Sequence, residues 1–280
     1  MPVRDDLGTR MKIFYEQIPK TKLMRRTPVI IRIDGKAFHT FTRGFKRPFD
    51  EVLINTMQAT TKYLCENIQG CVLGYTQSDE ISLVLVDYQR FESSAWFDYE
   101  IQKICSIAAS MATMAFNKFF NLHAKEYVST LYEHEWTDVE KQYGDILYNA
   151  VEKGAMFDAR VFNIPKEEVT NYIYWRQLDA SRNSIQMVGQ ANFSHKELQN
   201  KSCNEIQDML IAQKGINWND FPTYQKRGSC VIKDYHEEIM YEHDQRDRCV
   251  MRSEWVIDRD IPIFKGDDRE YIEKLVMVGE

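Results

Sequence analysis

The order of signals along this 280-residue chain predicts an α+β fold: a βαββαβ core with additional helices and a C-terminal extension. Three observations carry the prediction. Short runs rich in β-branched residues recur between residues 28 and 165, each bounded by glycine, proline or a polar turn. Two longer segments with apolar residues at helical spacing lie after the first run and after the third. A tight polar turn, TQSD, joins the middle two runs into a hairpin.

Taken in order, residues 10–20 read as a short amphipathic helix ending at Pro19. PVIIRID, 28–34, reads as a buried strand broken by Gly35, and a loop runs on through KAFHTFTRGFKRP. Asp50 then precedes EVLINTMQATTKYLCENI, where Val52, Leu53, Met57, Tyr63 and Leu64 recur at helical spacing and Gly70 closes the helix. CVLGY, 71–75, and EISLVLVDY, 80–88, are the hairpin strands. The stretch from Trp96 to Phe120 reads as a long helix with a small, apolar face formed by Ile104, Ile107, Ala108, Met111 and Ala115. Residues 121–154 are polar and mixed, and read as an insertion.

FDARVFNIP, 157–165, is a further strand ended by Pro165, and a helix follows over 166–187. Ser194 with Glu197 has capping-box spacing and predicts a helix that ends near Gly215. Beyond Phe221 the chain reads as irregular, with strand-like pieces such as SEWVID. There is no internal repeat. The expected organisation is a catalytic unit over 1–220 and an extension over 221–280 packed on it. The strand order is the split βαβ arrangement of ferredoxin-like domains and polymerase palms.

Composition narrows the class. The chain is 44% hydrophobic and 28% charged, which supports a sizeable core and gives no sign of disorder. No apolar run approaches the ~20 residues of a membrane span. The opening MPVRDDLGTRMK lacks an apolar signal core, so a soluble, cytoplasmic protein is expected. The six cysteines (Cys65, Cys71, Cys105, Cys203, Cys230 and Cys249) form no C-x-x-C pair, which argues against zinc, and are expected to be free thiols. Net charge is −6, yet the segment from Lys20 to Arg47 holds nine basic residues and one acid, Asp34. That segment carries +8, leaving −14 for the rest. A basic stretch around a lone aspartate suits a polyanion held near a metal; it also suits a solvated charged face.

The acids point further. Asp34 ends the first strand, and Asp79 and Glu80 stand where the hairpin enters the third. In a split βαβ sheet these strands are central antiparallel neighbours, so Asp34 and Asp79 are expected to meet at one sheet edge. Mg²⁺ takes oxygen ligands, commonly one or two carboxylates with water and phosphate. Two such ions about 4 Å apart can activate an attacking hydroxyl and stabilise a leaving pyrophosphate. Gly35 would let backbone approach a metal or phosphate. Taken singly, each acid reads as an ordinary turn residue; the placement of all three shifts the reading to function.

Five blocks in order then resemble one family. RIDGKAFHTF (32–41), RPFD (47–50), TQSDEISLVL (76–85), FDAR (157–160) and YWRQLDASRNS (174–184) are similar to blocks of the tRNA-His guanylyltransferase-like family of 3′-to-5′ RNA polymerases. RSEWVIDRDIPIF is similar to the tails of its bacterial and archaeal-type members. The resemblance implies a palm-like nucleotidyltransferase that extends tRNA at its 5′ end, in which a nucleoside triphosphate's 3′-hydroxyl attacks an activated 5′ end. ATP and GTP would be substrates, ATP activating a 5′-monophosphate, and the assembly would be a homotetramer. Carried over by residue, Asp34, Asp79 and the Gly35 carbonyl would hold two Mg²⁺, with Glu80 supporting them. Gly35, Lys36, Ala37, Phe38 and His39 would line the triphosphate and base pocket. Arg32, Arg47, Ser78, Lys103 and Arg160 would contact phosphates.

Two departures matter. The eukaryotic pattern has His-Ile-Asn-Asn where this chain has Ser181-Arg182-Asn183-Ser184, so the resemblance is to members that repair 5′-truncated tRNA against a template. Tyr99-Glu100 replaces a pair that is often two arginines, one turn before Lys103. The alternatives are a dedicated tRNA-His guanylyltransferase and, from another class, a non-catalytic tRNA-binding module. A palm-fold nucleotide cyclase would leave WRQLDASRNS unexplained.

Overall fold

The computed structural model describes residues 6–131, 136–240 and 248–279. The strands are β1 (Val29–Gly35), β2 (Cys71–Gln77), β3 (Glu80–Leu85), β4 (Phe157–Asn163), β5 (Ser229–Met240) and β6 (Arg248–Asp258). They form one antiparallel sheet in the order β4-β1-β3-β2-β5-β6. The helices are α1 (Asp6–Met11), α2 (Phe38–Phe41), α3 (Glu51–Asn67), α4 (Ile101–Thr130) and α5 (Asp138–Lys153), then α6 (Lys166–Asn192), α7 (His195–Leu198), α8 (Cys203–Lys214), α9 (Thr223–Arg227) and α10 (Glu270–Val276). The α+β class and the βαββαβ order over 28–165 hold.

Alternation along β1 explains the layers. Val29, Ile31 and Ile33 point to one face, where Ile81, Leu83 and Leu85 join them beneath α3 and α4. Ile30 points to the other, with Leu73, Tyr75 and Val84 beneath α6 and α10. Both faces are covered, so β1 reads as a near-continuous apolar run. Each fully buried Ile or Val contributes roughly 1.5–3 kcal/mol. Asp50 caps α3 by accepting the Leu53 N–H at 3.0 Å, and Gly70 takes φ +81 in the turn into β2.

Several boundaries differ from expectation. The first helix begins at Asp6 and continues through Lys12–Glu16 as a π-helical turn, with exposed side chains throughout. Residues 121–154 are no loose insertion: α4 runs on to Thr130, and α5 buries Tyr143, Leu147 and Ala150 at spacings of four and three. Residues 132–135 lie outside the described residues. The Ser194–Glu197 capping box forms, but it caps a single turn; a second box, Ser202 with Glu205, starts the longer helix that ends at Gly215. The region beyond Phe221 is not irregular, since β5 and β6 pair from Cys230 opposite Asp258 to Met240 opposite Arg248.

Cys65, Cys71, Cys105, Cys203 and Cys230 are free thiols; the Cys249 side chain lies outside the described residues. Among the described residues no helix is long and apolar enough to cross a membrane.

Candidate active site

Strand register brings the acids together. Asp34 stands opposite Glu80 on β3 and opposite Asp158 on β4. The Gly35 N–H donates to the Asp79 carbonyl at 3.1 Å, which places the two predicted metal acids at the same sheet edge. Ser78 holds the turn at φ +49 and its hydroxyl donates to Asp79 Oδ1 at 3.1 Å. Burial pushes the Asp79 carboxyl above its ordinary value; the Ser78 hydroxyl works against this and the Asp34 charge adds to it. A carboxylate that resists charging there gains most when a cation is present.

Glu80 is buried at 6% exposure and faces two arginines. Arg32 Nη2 donates to Oε2 at 2.6 Å, and Arg176 Nε lies 2.8 Å from Oε1. Arg176 continues to Asp179 at 2.5 Å, and Asp179 to Arg182 at 2.7 Å. Burial raises the Glu80 carboxyl while Arg176 and then Arg32 pull it down. Sequence reasoning missed Arg176, although it lies inside the WRQLD block; its signal was an arginine on the apolar face of a predicted helix. Arg160 sits 3.8 Å from Asp34 and 3.4 Å from Asp158.

The loop after β1 is fixed by aromatic packing. Phe38 is buried against Phe41, Phe116 and Phe157 at ring separations of 5.2–5.5 Å. A Cβ on Gly35 would lie 2.2 Å from the Phe38 ring, so glycine is required here for close packing. Ala37 takes φ +54, and His39 is exposed on the following turn. A cleft of about 510 Å³ opens beside it. Of the predicted residues, Gly35, Ala37, Phe38, His39, Arg47, Ser78 and Asp79 line it; Lys46, Asp50, Met187 and Gln190 join them. A second cleft, about 570 Å³, shares Arg47 and Gln190 as its wall.

The basic segment divides. Lys46 and Arg47 line the cleft, and Lys36 is exposed beside Gly35. Lys22 pairs with Asp98, and Arg25 with Asp87 at 2.6 Å, beyond the far end of β3. Lys103 also lies toward that end. Its ammonium sits 4.6 Å from the Phe97 ring. It is ten residues before Thr113, which meets Phe157 beside the acids, so about 15 Å of helix separates them. The structure therefore does not bring Lys103 to the cleft.

Comparison with known proteins follows the same outline. A sequence model of tRNAHis guanylyltransferase matches residues 8–165. A bacterial tRNA(His) guanylyltransferase-like protein in complex with ATP is 41% identical, with a TM-score of 0.77 over 96% of this chain and 98% of that one. A bacterial protein of the same description in complex with GTP is 40% identical, with a TM-score of 0.73 over 98% and 100%. The tRNA(His) guanylyltransferase of Schizosaccharomyces pombe is 25% identical over 249 residues, 83% of this chain and 82% of the relative. The chain belongs to the tRNAHis guanylyltransferase family of nucleotidyltransferases.

Proposed function

We propose that this protein adds nucleotides to the 5′ end of tRNA in the 3′-to-5′ direction, as template-dependent repair of 5′-truncated tRNA in the cytoplasm. The observation that carries the reading is the meeting of Asp34 and Asp79 at one sheet edge beside a cleft walled by Lys46 and Arg47. The bacterial relatives in complex with ATP and GTP support a nucleoside triphosphate as the cleft's occupant.

Asp34, Asp79 and the Gly35 carbonyl would hold two Mg²⁺, an oxygen donor set that leaves positions for phosphate and water. The ions would supply charge neutralisation for the attacking hydroxyl and the leaving pyrophosphate. The chain's own groups do the rest. Ser78 orients Asp79. Glu80 holds Arg32 and Arg176 in place beneath the acids. Arg47, and Arg160 beside Asp34, contact phosphates of the nucleotide and the RNA end. His39 and Ala37 line the base and triphosphate pocket, and Lys36 is exposed between Gly35 and Ala37, both of which line it. Phosphoryl transfer needs mainly this positioning and charge balance. The proposal includes a homotetramer, for which exposed Leu7, Met11, Phe14 and Ile18 offer surface.

The template-dependent reading is supported by Ser181–Ser184. Ser184 is spent on structure: its hydroxyl has the Ser181 carbonyl at 2.9 Å and the Lys226 carbonyl at 3.2 Å as acceptors, and it accepts from the Trp218 indole at 3.0 Å. Arg182 is paired with Asp179. These groups are engaged with the protein itself, and pairing with the opposite strand can supply base choice. The test is incubation of a labelled tRNA lacking its first nucleotide with Mg²⁺ and nucleoside triphosphates. Growth at the 5′ end is expected; binding without growth would leave a tRNA-binding module.

A further inference from the structure

The turn between α2 and α3 carries Arg47, which separates the two clefts, and it is held from a distant part of the chain. Asp50 is buried at 5% exposure. Its Oδ1 accepts the Leu53 N–H at 3.0 Å, and its Oδ2 accepts the Lys46 N–H at 2.9 Å and the Tyr143 hydroxyl at 2.6 Å. Tyr143 lies on α5, 93 residues away, and is itself 5% exposed. The same ring meets the next side chain of the turn: the Lys46 ammonium sits 4.5 Å from its centre and 4.2 Å from that of Tyr127. The two tyrosines meet edge to face, 4.9 Å apart.

A helix cap needs one acceptor, and the two backbone bonds already make Asp50 a cap that closes the turn on itself. The phenol and the aromatic pair do something further. They tie the turn to α4 and α5, so that it cannot swing as a unit away from the cleft. A side chain held this way meets a polyphosphate with less ordering still to be done on binding.

We infer that Tyr143 is a positioning residue for the nucleotide: by clamping Asp50 and Lys46 it fixes Arg47 against the cleft. The inference rests on the reading of that cleft as the triphosphate site. It gives α5 a part in the reaction without any contact between α5 and substrate.

The experiment uses the full chain and steady-state addition to truncated tRNA, with ATP and GTP binding measured separately by titration. Tyr143→Phe removes one oxygen and keeps the ring on Lys46. The expected result is a KM for nucleotide raised on the order of tenfold, with kcat within about twofold of the parent. In a cycle with Arg47→Ala the two effects on KM should not add, because both act through one guanidinium. Tyr127→Leu, which removes the other wall around Lys46, should shift KM the same way and serves if Tyr143→Phe does not fold. An unchanged nucleotide KM overturns the inference, as does a loss that adds fully to that of Arg47→Ala. If the parent protein binds neither ATP nor GTP, the reading of the cleft falls and the inference with it.

Discussion

Replacing Arg176 by methionine tests whether the acid edge is built on buried charge. Arg176 is 3% exposed and bridges Glu80 and Asp179. Methionine keeps much of the stem volume and removes the charge. Glu80 is then left in a site of 6% exposure with Arg32 alone. Breaking a buried pair by removing one partner costs about 3–5 kcal/mol. The surviving Arg32 bond at 2.6 Å favours the lower end, about 3 kcal/mol. At roughly 2–4 °C per kcal/mol for a chain of this size, Tm should fall on the order of 10 °C. Lys201→Met is the control, since its pair with Glu205 is exposed and its loss should leave Tm near that of the parent.

The pH dependence sharpens the test. Burial already raises the Glu80 carboxyl, and Arg176 is the strongest charge opposing that rise. Without Arg176 its value in the folded state climbs further above that of the unfolded chain. The native state then holds the proton more tightly, so the variant loses stability as pH rises through the folded value. The penalty should be largest on the alkaline side of the folded value and shrink as pH falls toward the ordinary carboxylate range, where Glu80 takes up a proton. Thermal unfolding of parent and variant across that range reads it directly. A Tm loss of only a degree or two, or a loss that does not change with pH, would refute the buried-charge reasoning.

The other predictions concern the site itself. Asp34→Ala or Asp79→Ala should each abolish Mg²⁺-dependent addition with the fold intact by circular dichroism, and the double variant should be no worse, because the groups act as one unit; substantial turnover in either single variant would remove the metal assignment. Arg47→Ala should weaken nucleotide binding on the order of tenfold. It should also flatten the fall of tRNA affinity with salt by about one phosphate contact; an unchanged salt slope would take Arg47 off the RNA path.

The meeting of Asp34 and Asp79 was legible because it needs only strand order and two turn positions. β1 carries the buried apolar run Val29–Ile31 with Ile33, and β3 is buried along its whole length, so both were assigned from their β-branched and apolar residues, and register followed. Lys103 was not legible. The chain kinks through Phe97 and Asp98, both with positive φ, before α4 begins, and no periodic signal tells at which end of a 30-residue helix a residue faces the acids. Helix α5 was hidden for a related reason: only Tyr143, Leu147 and Ala150 are buried on it, a stripe too thin to stand out among polar neighbours. The long hairpin escaped because Lys233, Asp234, Tyr235, His236 and Glu237 are all exposed, so β5 lacks the alternation that marks a half-buried strand. Gly35 was legible as a close approach, but the neighbour it admits is the Phe38 ring.

The central claim is that base choice comes from the opposing strand and not from tRNA-His identity. It is tested most directly in a 5′-truncated tRNA other than tRNA-His, with the base opposite the missing position set to each of the four identities in turn. The joined nucleotide is read by sequencing the product. The account predicts that the complementary nucleotide is added in all four cases. Addition of G whatever the opposing base, or growth confined to tRNA-His, would contradict it and leave a dedicated guanylyltransferase.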